Sequence, residues 1–230
     1  MKIFLLILLF FSIPYLFCTA VENEEPPWVY RGRGDKYYRD GEIGKAIVEY
    51  KKALSASKRI YGTIRYPEVN LSLSMIYLSE GLYDLALLNI RSAEQNESML
   101  QIPDTIYDIR YTKAKIFQKM NRYNEAMAVY ESIIKKDENW NFYSKLSPFD
   151  ISAVFFNDPE LKKKFGKAYF EIGKMKFDTR NYDNAVHFFK MSIMYGFKHD
   201  EALKLLINCY KLLNNNVVAE KVKKAYGKRL

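Results

Sequence analysis

Asn121-Arg122-Tyr123-Asn124-Glu125-Ala126-Met127-Ala128-Val129-Tyr130-Glu131-Ser132-Ile133 is one of four stretches that align without gaps along this 230-residue chain. The others run Gly41 to Ala53, Gly81 to Ala93 and Arg180 to Ser192. Each carries an aromatic or aliphatic residue (Ile43, Tyr83, Tyr123, Tyr182), then Ala three places later (Ala46, Ala86, Ala126, Ala185). A large apolar residue follows four places after the Ala: Tyr50, Ile90, Tyr130 and Phe189. An aromatic also sits four residues before the turn in each copy: Tyr37, Tyr77, Phe117 and, one place closer, Phe177. A weaker fifth copy runs from Tyr210 through Asn214-Asn215-Asn216 to Ala219.

Apolar residues at spacings of three and four on both sides of each turn predict two amphipathic helices per copy. Arg39-Asp40-Gly41 and Ser79-Glu80-Gly81 read as ends of first helices, because glycine accepts the left-handed conformation found there. Asp84, Asn124 and Asp183 are expected to cap the second helices. The four alanines fall where two helices approach too closely for a larger side chain. Tyr50, Ile90, Tyr130 and Phe189 are expected to fill the space between one copy and the next. No copy can hide its apolar face alone, so the copies must stack. With Gly 10 and Pro 7 the chain lacks the turns that a sandwich or barrel needs.

The four copies resemble the tetratricopeptide repeat, and the resemblance covers Trp28 to Leu230 apart from one insert. It implies an all-α, right-handed superhelical solenoid of antiparallel helix pairs, with repeats at about 27–60, 67–100, 104–138 and 165–198, a partial one at 199–230, and an insert at 139–163. There are departures. Ala46, Ala86 and Ala126 lie 40 residues apart where the family has roughly 34, the step to Ala185 is 59, and Arg33 and Lys113 stand where leucine is usual. The first repeat is therefore expected to pack loosely or to expose that face. The family lines its concave face with the first helix of each pair. Carried over, that places Trp28, Arg31, Asp35, Tyr38 and Arg39 there from the first repeat, and Glu68, Leu71, Met75, Leu78 and Ser79 from the second. The third gives Asp108, Tyr111, Lys115, Gln118 and Lys119, and the fourth Lys167, Phe170, Lys174, Phe177 and Asp178. Arg31, Tyr38, Leu71, Met75, Tyr111, Lys115, Phe170, Lys174 and Phe177 are the candidate peptide-binding residues. Aromatics among bases suit a ligand with apolar anchors and some acid.

The first twenty residues obey other rules. Met1-Lys2 supplies a positive charge, Ile3 to Phe17 is almost wholly apolar, and Cys18-Thr19-Ala20 ends in small residues. That is the pattern of a secretory signal at 1–20, cleaved after Ala20, with the body 21–230 exported to the periplasm or envelope. An uncleaved anchor stays open, as does lipidation of Cys18, against which the bulky Phe17 argues. The net charge of +9 falls to +8 without Lys2. In an exported chain such charge fits solubility or an anionic envelope surface better than nucleic acid. The basic run Lys221, Lys223, Lys224, Lys228, Arg229 reads as a solvated cap on the last helix, or as contact with anionic lipid or an acidic partner. Loss of Cys18 would leave Cys209 alone and buried.

Searching for chemistry returns nothing at catalytic spacing. His187 and His199 lie on different helices with no Cys or His neighbour at ligand spacing, and His187 is expected on a helix surface. No H-E-x-x-H, C-x-x-C, G-x-S-x-G, Walker loop or dinucleotide fingerprint occurs. The expectation is a non-catalytic scaffold with no cofactor and no metal, binding a protein or peptide, its oligomeric state open. The alternative is an envelope component that holds cell-wall glycan or anionic lipid by its basic surface. The insert, with Trp140-Asn141-Phe142-Tyr143 and Val154-Phe155-Phe156, is expected to pack as an extra helix or to fold over the groove.

Overall fold

The computed structural model describes residues 25–137 and 159–226. All regular structure in them is helical, as expected from the low turn content. In chain order the α-helices are α1 Pro27–Arg39, α2 Ile43–Tyr61, α3 Pro67–Ser79, α4 Tyr83–Gln95, α5 Thr105–Lys119, α6 Tyr123–Ile134, α7 Pro159–Asp178, α8 Tyr182–Met194, α9 His199–Leu212 and α10 Asn216–Tyr226. A single 3-10 turn, Glu97–Met99, follows α4. The chain divides into two compact units, Met1–Val69 and Asn70–Leu230. The first contains the α1/α2 hairpin. In the second, the hairpins stack in chain order, with α4 on α5, α6 on α7 and α8 on α9. The signal-like segment 1–20 lies outside the described residues, as do 139–158 of the insert and the last two bases, Lys228 and Arg229. Residues 159–163, assigned to the insert from sequence, belong to α7: Pro159 suits a first helical turn, where no amide partner is needed.

One turn is built five times. Gly41, Gly81, Asn121, Arg180 and Asn214 all hold positive φ, between 57° and 77°. The amide of the next residue then reaches back to the carbonyl five places earlier. Glu42 bonds Tyr37, Leu82 bonds Tyr77, Arg122 bonds Phe117, Asn181 bonds Lys176 and Asn215 bonds Tyr210, each at 2.8 Å. This is the hydrogen-bonding pattern of a Schellman helix end, which satisfies carbonyls that the helix leaves free. The weak fifth copy therefore folds by the same rule as the strong ones. The capping expectation needs correction. The residues entering the second helices are Glu42, Leu82, Arg122 and Asn181, and of these only the Asn181 side chain accepts a backbone N–H, that of Asn184. Asp84, Asn124 and Asp183 lie one place inside the helix. There the carboxylates of Asp84 and Asp183 favour the positive end of the helix dipole without capping it.

Inside the hairpins the small-residue column is buried as the spacing predicts. Ala46, Ala86, Ala126 and Ala185 are fully enclosed, and so are Ile90 and Phe189, with Tyr50 and Tyr130 nearly so. Opposite them, on the first helices, stand Gly34, Ser74, Ala114 and Gly173. A Cβ on Gly34 would come 2.6 Å from Cδ1 of Tyr50, and one on Gly173 2.9 Å from Cδ1 of Phe189. Ser74, wholly buried, spends its hydroxyl on the carbonyl of Ala86 at 2.8 Å, tying α3 to α4.

The charged residues at leucine positions are accommodated by partners. In their column Leu73, Ile172 and Leu206 are buried. Arg33 instead donates through Nε to Glu49 of α2 at 2.8 Å and also pairs with Glu25. Lys113 donates to Glu94 of α4 at 2.5 Å. At that face the first hairpin is held by ion pairs, and Arg33 stays part-exposed. Glu49 is buried; desolvation alone would raise its pKa, but hydrogen bonds from Lys52 and Arg33 and their charges outweigh it, and the pKa falls.

The third and fourth hairpins are joined by a polar clamp in an apolar setting. Asp137, just past α6, is buried and accepts hydrogen bonds from Tyr169 of α7, at 2.6 Å, and from Tyr195 at the end of α8. Phe165 packs edge-on against both Tyr107 and Tyr195. Beyond it, α9 and α10 close over a core of Phe170, Phe189, Leu203, Leu206, Cys209, Tyr210, Ala219 and Val222.

Candidate functional site

The second unit holds a groove of about 960 Å³. Leu71, Met75, Leu78 and Ser79 of α3 form one side, with Gly81 of the turn and Tyr83 at the start of α4. Asp108, Tyr111, Thr112, Lys115, Gln118 and Lys119 of α5 form its floor, with Tyr130 of α6 behind them. Lys167 and Glu171 of α7 form the other side. Because side chains four apart share a helix face, the floor and walls each present a strip of one helix.

The strips differ in chemistry. The α3 side is apolar, and Met75 stands about half-exposed in it. The floor is anchored from below. Tyr111 is buried, gives its hydroxyl to the carbonyl of Lys164, and lies tilted against the ring of Tyr130 at 5.9 Å. Tyr130 in turn donates to Gln118 at 3.3 Å. Burial raises the pKa of both phenols, so they are neutral donors at physiological pH. Over the Tyr111 ring, 4.2 Å from its centroid, lies the ammonium of Lys167. Burial lowers the pKa of this lysine; the attraction of Glu171 and Asp108 opposes that, and Lys115 and Lys163 add to it. Lys115, Lys119 and Lys167 form no ion pair among the described residues.

Four of the nine candidate residues, Leu71, Met75, Tyr111 and Lys115, come together here. Arg31 and Tyr38 belong to the first unit. There Arg31 faces Asp35 at 3.8 Å and lies 5.7 Å from the centre of the Tyr66 ring, and Tyr38 is exposed. The remaining three, on α7, do not line this groove, and Phe170 needs correction. Phe170 is fully buried, packed between Phe189 and Phe197, and offers no surface. Phe177 is half-buried against Tyr182 and Phe189, and the ammonium of Lys174 lies 5.8 Å from the Phe170 ring. For Phe170 the cover is the connection Tyr195–Lys198. It crosses α7 so closely that a Cβ on Gly166 would meet the Cβ atoms of Phe197 and Tyr195 at under 3 Å. Sequence reasoning placed Lys167 in the correct column but left out Tyr83, Thr112, Tyr130 and Glu171. Tyr83 and Tyr130 belong to second helices, which the column rule ignores; both were visible only as packing residues of the repeat.

Elsewhere, His187 is half-buried beside Phe188 rather than on the surface, and burial with nearby Lys190 lowers its pKa. Cys209 is buried, and desolvation pushes its pKa up to about 12. Among the described residues no group of His, Cys, Asp and Glu is placed to hold a metal ion, and no helix is long and apolar enough to cross a membrane.

With the geometry in hand, known proteins can be set beside it. Residues 107–139, the third hairpin, match the sequence model of the tetratricopeptide repeat. Superkiller complex protein 3 of Homo sapiens is 31% identical over 113 residues, and that of Mus musculus 30% over 113. The match takes in 49% of this chain and 6% of those proteins, so the chain spans only a small part of the curated relatives' length. Among solved structures, PilW, described as a widely conserved type IV pilus biogenesis factor, superposes with a TM-score of 0.57 at 14% identity, over 86% of this chain and 76% of its own. The apo form of RapI gives 0.60 at 14%, over 88% and 71%. MamA gives 0.55 at 18%, over 86% and 88%. The third hairpin thus matches the tetratricopeptide repeat in sequence, and the chain has the all-α, solenoid-like fold of these structures.

Proposed function

We propose that the chain is a non-catalytic interaction scaffold that holds a protein or peptide in the groove of its second unit, outside the cytosol. The observation that carries this reading is the groove itself. An open trough of about 960 Å³, apolar on one side and charged on floor and far side, suits a chain-like ligand. Nothing in the groove is arranged as a nucleophile with its base. Fold alone names no partner. The extracytosolic setting rests on the signal-like pattern of Met1 to Ala20.

A photo-crosslinking residue placed at Met75 or Lys119, in the groove, is expected to trap a discrete protein in the native cell. The same residue at Leu88, exposed on α4, is the control. Equal capture from both positions, or none from the groove, refutes the reading; fractionation of the same cells tests the compartment.

A second reading, contact with anionic lipid, is favoured by the last hairpin. Leu212 and Val217 are exposed beside its turn next to exposed Lys211, and exposed Lys223 and Lys224 lie in the last turn of α10. Apolar tips with adjacent bases are what a membrane surface attracts.

A further inference from the structure

We propose that the occupant of the groove is an extended segment of about five residues whose side chains alternate between apolar and acidic. The inference rests on the groove being a peptide site and names the ligand class it takes. From Asp108 to Lys119 the floor runs 12 helical residues, 11 rises of 1.5 Å or about 16 Å. An extended chain rises about 3.3 Å per residue, so about five residues cover that length. In such a segment successive side chains point to opposite sides.

The two sides of the groove are unlike in a matching way. Leu71, Met75 and Leu78, at helical spacing on α3, accept apolar side chains. The residues pointing the other way meet Lys167, with Lys115 and Lys119 on the floor. Lys167 is the cation that gains most from a carboxylate. It is half-withdrawn from water over the Tyr111 ring and has no ion-pair partner among the described residues. The groove's acids, Asp108 and Glu171, attract Lys167 without closing on it as an ion pair. Asp108 already sits in the first turn of α5, where the helix dipole favours it, and Glu171 stands one turn beyond Lys167 on α7. A ligand with its acids and apolar residues in separate blocks cannot satisfy both sides at once.

Three fluorescein-labelled pentapeptides test this on the full chain by anisotropy: Leu-Glu-Leu-Glu-Leu, its neutral counterpart Leu-Gln-Leu-Gln-Leu, and the reordered Leu-Leu-Leu-Glu-Glu. The alternating acidic peptide is expected to bind at least tenfold tighter than the reordered one. Lys167→Gln is expected to weaken the acidic peptide at least fivefold and leave the neutral one unchanged, its melting curve showing that the fold is kept. Equal binding of the alternating and reordered peptides overturns the inference, as does equal weakening of acidic and neutral peptides by Lys167→Gln. A random peptide library separates the two levels. Library binding without preference for alternation sinks this inference alone, whereas no binding by any peptide sinks the peptide-site reading as well.

Discussion

Adding one methyl group at Gly34 isolates the close approach of helices on which every hairpin depends. An ideal Cβ there would lie 2.6 Å from Cδ1 and 2.7 Å from Cε1 of Tyr50. The Tyr50 ring has nowhere to go. It is 1% exposed, and its hydroxyl is fixed on Asp35 of the opposite helix at 2.7 Å. Overpacking of this kind costs about 1–3 kcal/mol. Alanine also favours a helix over glycine by about 1 kcal/mol, so Gly34→Ala alone nets a loss of roughly 0–2 kcal/mol. The neighbouring Gly32 supplies the correction. It lies in the same helix, α1, and a Cβ there meets nothing within 4 Å. Gly32→Ala should therefore show the propensity gain without the clash. The difference between the two variants is the clash itself, about 1–3 kcal/mol. Urea unfolding followed by far-UV circular dichroism measures it. A Tyr50→Leu change, itself costly, should lose less in the Gly34→Ala background than alone, because the smaller side chain makes room for the methyl. Equal stability of the Gly32→Ala and Gly34→Ala proteins would falsify the close-approach argument, and so would strict additivity with Tyr50→Leu.

Arg180 carries a left-handed backbone, φ 60°, without the side-chain help that asparagine gives at the equivalent turns; Arg180→Gly should raise stability by about 0.5–1 kcal/mol, read as a higher melting temperature. Joint Lys113→Leu and Glu94→Gln substitution restores the apolar residue of the column and should be neutral or stabilising by about 1 kcal/mol in urea unfolding. His187 has a lowered pKa in the folded protein, so the unfolded chain binds the extra proton first; stability from this group is full above its ordinary value near 6.5 and is lost as pH falls below it. Melting temperature should accordingly drop between pH 7 and 5.5, less steeply in His187→Phe, and parallel slopes for the two proteins would count against it. In a Cys18→Ser background, Cys209 should resist a thiol reagent at pH 8 until the protein is denatured, because burial holds the thiol protonated.

How much of this could be read from the residues varies with the kind of signal. The stacked hairpins were legible because Ala46, Ala86, Ala126 and Ala185 are demanded by backbone proximity, a constraint that no neighbour can relax. The fifth hairpin was faint in sequence because Ile207 replaces the small residue of the column, yet its turn at Asn214 is built like the others. The helix starts were misread because capping is a choice among residue types. A Schellman turn already satisfies the carbonyls and feeds the chain into the next helix, so Leu82 and Arg122 serve where Asp or Asn was expected. Arg33 and Lys113 looked like defects in the pattern because their partners, Glu49 and Glu94, lie 16 and 19 residues away, beyond any local rule.

The groove shows where a column rule stops working. All five α5 positions expected on the open face do line it, between strips of α3 and α7. The same rule applied to α7 keeps Lys167 and loses Phe170. The difference is not in α7, whose spacing is as regular as that of α5. It lies in the four residues Tyr195–Lys198, which Gly166 admits against the helix and which then cover Phe170 from outside. A face is open only if no later connection returns across it, and a repeat pattern carries no information about its own connections. Gly166 was the available clue. A glycine inside a helix gives up helix propensity, and here the return is the close passage of Phe197. Gly166→Ala tests the point: it should loosen the Tyr195–Lys198 segment and increase protease cleavage there, while leaving peptide binding at Met75 and Lys115 within twofold. Undiminished protection of that segment would mean that something other than Gly166 seats it.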